Sequence, residues 1–345
     1  MKKNRELILG IETSCDETAA SLIKAEKGKI EILSNVVFSQ IKLHQPFGGI
    51  VPEVASRAHL EKIIPVLKKA YGNYSPFQVN LICVTYGPGL ITSLLIGIEA
   101  AKTLSYLTHA PLMAVNHLEG HIYSVENFEK IIYPAMALIV SGGHTKLINI
   151  KKPFVYQEVG TTLDDAAGEC FDKISKFLGL GYPGGPIISD YASKWRQGKK
   201  TIDFHLPRPM LKKKNFDFSF SGLKTALIYS LRKKHSFPLE GICAEVEEAI
   251  CQVLTYKTMA ASREYKANSL ILCGGVAANQ YLRKRLKEEA NKAKINFFCP
   301  PSNLATDNAL MIALAGYERF KMLSPKEKEK LKNNFELDAK PNLYF

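Results

Sequence analysis

The chain has 345 residues, 46% of them hydrophobic and 23% charged, with a formal net charge of +13. This length suits two domains or one large bilobal unit, and the composition excludes disordered, collagen-like and low-complexity classes. No apolar stretch is long enough to span a membrane, and seven scattered cysteines without a C-x-x-C exclude a disulfide framework or a cysteine zinc site.

Residues 6–12 read as a buried strand, followed by a polar turn at Ser14, Asp16, Glu17 and Thr18. Ala19–Lys24 and Ile30–Val37 read as return strands. The Leu7–Ile11 run is closed by Glu12 and is too short for an export signal, so a cytoplasmic location with no membrane partner is expected. Pro52–Tyr71 has helical spacing at Val54, Ile63, Ile64 and Leu67. Leu81–Thr85 reads as a strand broken by Gly87-Pro88-Gly89, and Leu90–Leu107 as a long buried helix. After Pro134 the pattern restarts: strand Ala135–Val140, polar turn Ser141–Thr145, strand Lys146–Ile150. Leu270–Cys273 is a further buried strand, with Gly274–Asn279 and a helix from Gln280 behind it. The expected organisation is an internally duplicated α/β fold. Its first lobe is 1–134 and its second 135–307, with a final helix near 308–325 returning to the first and a peripheral tail at 326–345.

His117 and His121 stand four residues apart, about one helical turn, which is the spacing of a two-histidine metal site. The alternative is one capping and one packed histidine. Glu119 lies two positions after His117, and at about 100° per residue it points roughly 200° away from that ring. That argues against a zinc protease, whose glutamate directly follows the first histidine. Asp307 precedes the last helix. It is an N-cap by default, or else a third, oxygen ligand.

Three glycine-rich turns, Ser141–Thr145, Gly181–Pro186 and Gly274–Asn279, can offer backbone N–H groups to phosphate. None fits a P-loop or a dinucleotide fingerprint. Asp165, Glu169 and Asp172 fall on one helical face. Capping and a solvated first turn account for Asp164 and Asp165, whereas Asp172 lies beyond that turn and suits a ribose hydroxyl. Basic clusters at Lys194–Lys200, Lys212–Lys214, Arg232–Lys234 and Arg283–Arg285 suit a polyanion, with Phe216, Phe218 and Phe220 available to stack on bases. An ordinary solvated surface is the other reading.

Taken in order, G-I-E-T-S-C-D-E-T at Gly10–Thr18, N-H-L-E-G-H at Asn116–His121, V-S-G-G-H-T at Val140–Thr145 and T-T-L-D-D-A-A-G-E-C-F-D-K at Thr161–Lys173 resemble the bacterial branch of one family. So do Y-P-G-G-P at Tyr182–Pro186, D-F-S-F-S-G-L-K-T-A at Asp217–Ala226, C-G-G-V-A-A-N at Cys273–Asn279 and T-D-N-A at Thr306–Ala309. That family is TsaD, formerly Gcp or YgjD, the tRNA threonylcarbamoyladenosine transferases. The resemblance implies a duplicated actin/hexokinase/Hsp70-like (ASKHA, ribonuclease H-like) fold with a nucleotide cleft between lobes. It implies transfer of L-threonylcarbamoyl from threonylcarbamoyl-AMP to N6 of the adenosine 3′ of the anticodon, position 37, in tRNAs reading codons that start with A. AMP is released. It implies one divalent metal, Fe2+ ahead of Zn2+, on His117, His121 and Asp307. Substrate contacts fall on Ile139, Val140, Ser141, Gly142, Gly143, Asp172, Gly185 and Asn279, and the partners are tRNA, a TsaB-type inactive paralogue and a TsaE-type P-loop ATPase. Four residues past Gly185 some members carry aspartate where this chain has Ser189. Asp16 and Glu17 are the candidate base or positioning groups.

An ATP-dependent kinase of the same fold would suit the glycine turns but not the histidines, since kinases hold magnesium through oxygen. An Hsp70-type module lacks the length for a peptide-binding domain. A metalloprotease fails on the position of Glu119.

Overall fold

The computed structural model describes residues 5–125, 128–198, 201–233 and 237–345. They divide into two compact units, one running to Ser124 and resuming at Asp307–Phe345, the other Val125–Thr306.

In the first unit, β1 (Arg5–Glu12), β2 (Glu17–Glu26) and β3 (Lys29–Ser39) form an antiparallel meander. A short helix, α1 (Ile41–His44), leads into α2 (Pro52–Tyr71), which carries the chain over to β4 (Leu81–Gly87). Helix α3 (Ile91–Thr108) then leads to β5 (Leu112–Asn116) and α4 (His117–Tyr123). β4 and β5 add parallel on the far side of β1, as helical crossovers require. The sheet order is β3-β2-β1-β4-β5. Leu7, Ile8, Leu9 and Ile11 are all buried, because β1 is central and covered on both faces.

The second unit repeats the plan. β6 (Ala135–Val140), β7 (Thr145–Lys152) and β8 (Val155–Thr161) are antiparallel. Helices α5 (Ala167–Phe177), α6 (Gly184–Gln197), α7 (Ser221–Lys233) and α8 (Leu239–Glu264) follow. β9 (Ser269–Cys273), α9 (Gln280–Lys292) and β10 (Asn296–Phe298) complete it, with β9 parallel to β6 and β10 parallel to β9. The order β10-β9-β6-β7-β8 matches the first sheet strand for strand. Met136, Leu138 and Val140 bury one face of β6 in a core with Phe171, Ile250 and Leu254.

The chain then returns to the first unit as α10 (Ala309–Met322), which packs on β1 and α4, followed by α11 (Pro325–Lys330). The end of the chain docks on the loop after β4: Lys340 N–H donates to Tyr86 O at 2.7 Å and Gly89 N–H to Pro341 O at 3.1 Å. The whole is a duplicated actin-like α/β fold, as the resemblance implied.

Three sequence expectations change. Helix α3 is buried on one face only: Leu94, Ile98 and Ala101 are inside, while Ile91, Tyr106 and Leu107 are more than half exposed. Phe218 and Phe220 are fully buried and stacked on each other at 6.1 Å, so they offer no surface for bases, and Phe216 is half-buried. β5, β8 and β10 are strands that apolar patterning did not mark. Among the described residues no helix is long and apolar enough to cross a membrane.

Candidate functional site

Strand direction sets the first unit's site. β1, β4 and β5 run parallel, so Glu12, Gly87 and Asn116 end at the same edge of the sheet, where open α/β sheets bind ligands. The turn Thr13–Asp16 leaves β1 there, and Leu90 N–H ties the next loop to Ser14 O at 2.8 Å.

Helix α4 starts at the same edge. Asn116 Oδ1 accepts Leu118 N–H at 2.8 Å and caps it, so neither histidine is a cap. The rings of His117 and His121 share one face, with centroids 4.7 Å apart and planes at 78°. Gly120 faces α10 so closely that a Cβ would meet Ile312 Cδ1 at 2.8 Å. That close packing brings in the start of α10. Its cap is Asn308, whose Oδ1 accepts Met311 N–H at 3.2 Å, and not the Asp307 expected by default. Asp307 Oδ1 lies 3.1 Å from His121 Nε2 and 3.6 Å from His117 Nε2. One donor atom from each of the three residues lies within 4.8 Å of the others.

The donor set fits a divalent transition metal. His121 is fully buried, and neither of its ring nitrogens has a hydrogen-bond partner, since the 3.1 Å approach of Asp307 lacks hydrogen-bond orientation. Buried imidazoles are rarely left so, and a cation among two imidazoles and a carboxylate would satisfy Nε2. Glu119 is turned away, buried and paired to Arg319 at 2.5 Å. It is a structural ion pair and not a base.

Glu12 was legible only as the end of β1, yet it is fully buried behind His117. Its Oε1 accepts Ser14 N–H at 2.5 Å and its Oε2 accepts the Thr85 hydroxyl at 2.6 Å. His117 Nδ1 is 3.1 Å from both Glu12 Oε2 and Ser14 Oγ. Burial alone would raise the Glu12 carboxyl, but the His117 charge and these hydrogen bonds bring it below its ordinary value. Burial pulls the His117 imidazolium down, yet the Asp307 and Glu12 carboxylates outweigh it and hold it at about 9. The sequence signal was a glutamate closing an apolar strand, a position that demands a partner.

Asp16 and Glu17 share a hydrogen bond at the end of the same turn. Burial and then the charges of Asp16 and Asp307 push the Glu17 carboxyl well above the usual range. Asp16 is also raised by burial, against the hydrogen bond from Glu17.

In the second unit β6 and β9 end side by side, at Val140 and Cys273. Ile139 and Val140 are fully buried in the strand, so only their backbone can meet a ligand. Ser141 N–H donates to His144 O at 2.8 Å, closing the turn, and a Cβ on Gly142 or Gly143 would meet nothing within 4 Å. Gly274, at φ 91°, packs against Val140 O on one side of that turn, and Gly168 N–H reaches Ser141 O at 3.2 Å on the other.

Asp172 Oδ1 accepts Gly184 N–H at 2.6 Å, beside Gly185. Asn279 spends its whole amide internally: Oδ1 accepts Leu282 N–H at 2.8 Å, and Nδ2 donates to Ser189 Oγ at 3.0 Å and Glu247 Oε1 at 2.6 Å. Ser189 Oγ also donates to Glu247, which Arg196 neutralises. Asp164 does not cap α5. Its carboxylate accepts Phe220 N–H at 2.7 Å, Ser221 N–H at 3.3 Å and the Ser219 and Ser221 hydroxyls, at the start of α7. Asp165, ahead of α5, pairs with Lys173 at 2.6 Å. Of the basic clusters, Lys212–Lys214 is exposed, Arg285 is paired with Glu248, and Lys199, Lys200 and Lys234 lie outside the described residues.

The sequence profile described as "TsaD: tRNA N6-adenosine threonylcarbamoyltransferase" matches residues 31–314. The tRNA N6-adenosine threonylcarbamoyltransferase of Thermosipho africanus is 44% identical over 342 residues, covering 98% of this chain and 99% of that relative. That of Bacillus subtilis is 47% identical over 316 residues, covering 90% and 89%. The crystal structure of full-length HypF in its phosphate- and nucleotide-bound form aligns with 94% of this chain and 48% of its own, at TM-score 0.61 and 13% identity, which shows the shared fold alone. With a full-length match to those relatives and the profile spanning most of its length, the chain belongs to the TsaD family of tRNA N6-adenosine threonylcarbamoyltransferases.

Proposed function

We propose that this protein transfers L-threonylcarbamoyl from L-threonylcarbamoyl-AMP to the N6 amine of adenosine 37, next to the anticodon of tRNAs that read codons beginning with A. A new N6–carbonyl bond forms, the carbonyl–phosphate oxygen bond breaks, AMP leaves, and the amine proton passes to a base. His117, His121 and Asp307 would hold one divalent ion; two imidazoles and one carboxylate with open positions suit Fe2+ and Zn2+ alike, and Fe2+ ahead of Zn2+ is what the family resemblance implies. Bound there, it would act as a Lewis acid and a template for oxygen ligands.

The residues of the chain do the rest. Asp16 or Glu17 is the candidate base or positioning group, since burial at the end of the turn after β1 raises both carboxyls above their ordinary range. Backbone N–H groups of Gly142 and Gly143 cradle the phosphate beside Ser141, whose own N–H closes the turn, with Ile139 and Val140 contributing only main chain. Asp172 and Gly185 meet the ribose side, and Asn279 keeps its turn in shape through Ser189 and Glu247. The exposed Lys212–Lys214 run supplies phosphate contacts to tRNA. A cytoplasmic setting and assistance from a TsaB-type paralogue and a TsaE-type ATPase belong to the same proposal.

The observation that carries this reading against a kinase of the same fold is the nitrogen-containing metal cluster, for which a magnesium-dependent phosphotransfer site has no use. The test combines the protein with ATP, threonine, bicarbonate, a synthase of the carbamoyl-adenylate, the two partners and unmodified tRNA. Mass spectrometry of digested tRNA is expected to show threonylcarbamoyladenosine. Unmodified adenosine with every other component active would refute the assignment.

A further inference from the structure

We propose that Glu12 is a positioning residue of the metal centre: its buried carboxylate holds the His117 ring with Nδ1 protonated, and so fixes Nε2 as the donor facing Asp307. The inference rests on the metal reading above. It starts from an asymmetry between the two histidines. His121 Nδ1 is buried with no hydrogen-bond partner, whereas His117 Nδ1 has two oxygens at 3.1 Å. Of those two, the Ser14 hydroxyl can donate or accept, but an ionised carboxylate can only accept. Glu12 therefore decides the tautomer.

The carboxylate is itself immobilised. Ser14 N–H holds Oε1, Thr85 Oγ1 holds Oε2, and those two residues belong to the loop after β1 and to the neighbouring strand β4. Fixing Glu12 fixes the plane of the imidazole, and the opposite nitrogen then points to Asp307 Oδ1, 3.6 Å away. A ligating histidine whose other N–H is anchored on a carboxylate is both oriented and more basic, and loss of such an anchor typically costs about 10–100-fold in metal affinity. Thr85 acts one step further out, through Glu12, so its removal has a smaller effect.

The test uses full-length protein and Zn2+ alone, without tRNA, ATP or partners. Zn2+ affinity is measured by competition with a chromophoric chelator for wild type, Glu12→Gln and Thr85→Val. Long-range 1H–15N correlation spectra of 15N-histidine-labelled, Zn2+-loaded protein read the tautomer. The expected result is Nδ1–H at His117 in wild type, an affinity loss of about 10–100-fold in Glu12→Gln, and a smaller loss in the same direction in Thr85→Val. Wild-type affinity in a folded Glu12→Gln overturns the proposal, and so does a proton on His117 Nε2 in the loaded wild type. Should Glu12→Gln not fold, unchanged affinity in Thr85→Val overturns it too. If wild type binds Zn2+ as described yet tRNA stays unmodified, only the functional reading fails.

Discussion

The two hairpin turns at the ends of β1 and β6 are the same element used twice, and they have diverged in opposite directions. Each follows the central strand of a sheet of identical topology and each faces the end where parallel neighbours also stop. The first turn, Thr13–Asp16, is mostly buried and loaded with charge: Glu12 before it, Asp16 within it and Glu17 after it. The second, Ser141–His144, is open, carries no carboxylate, and bares backbone at Gly142 and Gly143. On the proposed function, side-chain chemistry and main-chain recognition are divided between the copies. Substitutions should separate the two functions cleanly, the first turn governing metal and proton transfer, the second governing nucleotide.

The largest effect is expected at the proposed metal site, His117, His121 and Asp307. Asp307→Ala removes one of three proposed donors, and metal affinity should fall by more than about 100-fold, so that metal content of the purified protein, measured by mass spectrometry, drops with activity lost alongside, since loss of an anchor alone costs about 10–100-fold. Full occupancy in Asp307→Ala would take Asp307 out of the site. Asp16→Asn comes next. It should lower kcat by about 100-fold or more, the usual worth of a positioned base, while metal content stays at the wild-type level. Joint loss of metal and rate would make Asp16 part of the metal site instead, and an unchanged kcat would end its candidacy.

Gly274→Ala strikes the second turn. At φ 91° its Cβ would fall 2.4 Å from Val140 O, and the strain of about 1–3 kcal/mol must push the Ser141 turn aside. Binding of AMP, followed by calorimetry, should weaken by about 10-fold, with metal content untouched. Metal loss in Gly274→Ala would mean that the two turns are not separable.

How much of this was open to sequence reading depended on what each residue touches. Continuous apolar runs located β1 and β6, which are buried along those runs, and helical spacing located α2. Such patterning passed over β8, whose residues are half exposed and polar, and β10, three residues long. At the site, the four-residue histidine spacing was visible because both rings sit on one helix. The links that cross the chain were not. Glu12 and His117 are 105 residues apart, and Asp164 and Phe220 are 56 apart, so neither partner could be paired from local pattern. Local capping rules also mis-assigned Asp307 and Asp164, because Asn308 competes for the first helix end and α7 presents unpaired N–H groups to the second aspartate.

Asp164 gives the smallest and most selective test. It braces the loop before α5 to the start of α7 in the second unit, its hydrogen bonds going to Ser219, Phe220 and Ser221. Asp164→Ala should cost about 1 kcal/mol, the usual worth of a helix cap, seen as a shift in the denaturant midpoint. Burial opposes its ionisation, but the Ser219, Phe220 and Ser221 hydrogen bonds together hold its carboxyl below the ordinary 3.8. A depressed folded value means the stability is present above that ordinary value and is lost as pH falls through the lower, folded one. The gap between wild type and Asp164→Ala should therefore be constant at neutral pH and close only under strong acid. Metal content and AMP affinity should both match wild type. A change in either would mean that the loop carrying Asp164 feeds into the Ser141 turn, and that the second copy is not the self-contained nucleotide element proposed for it.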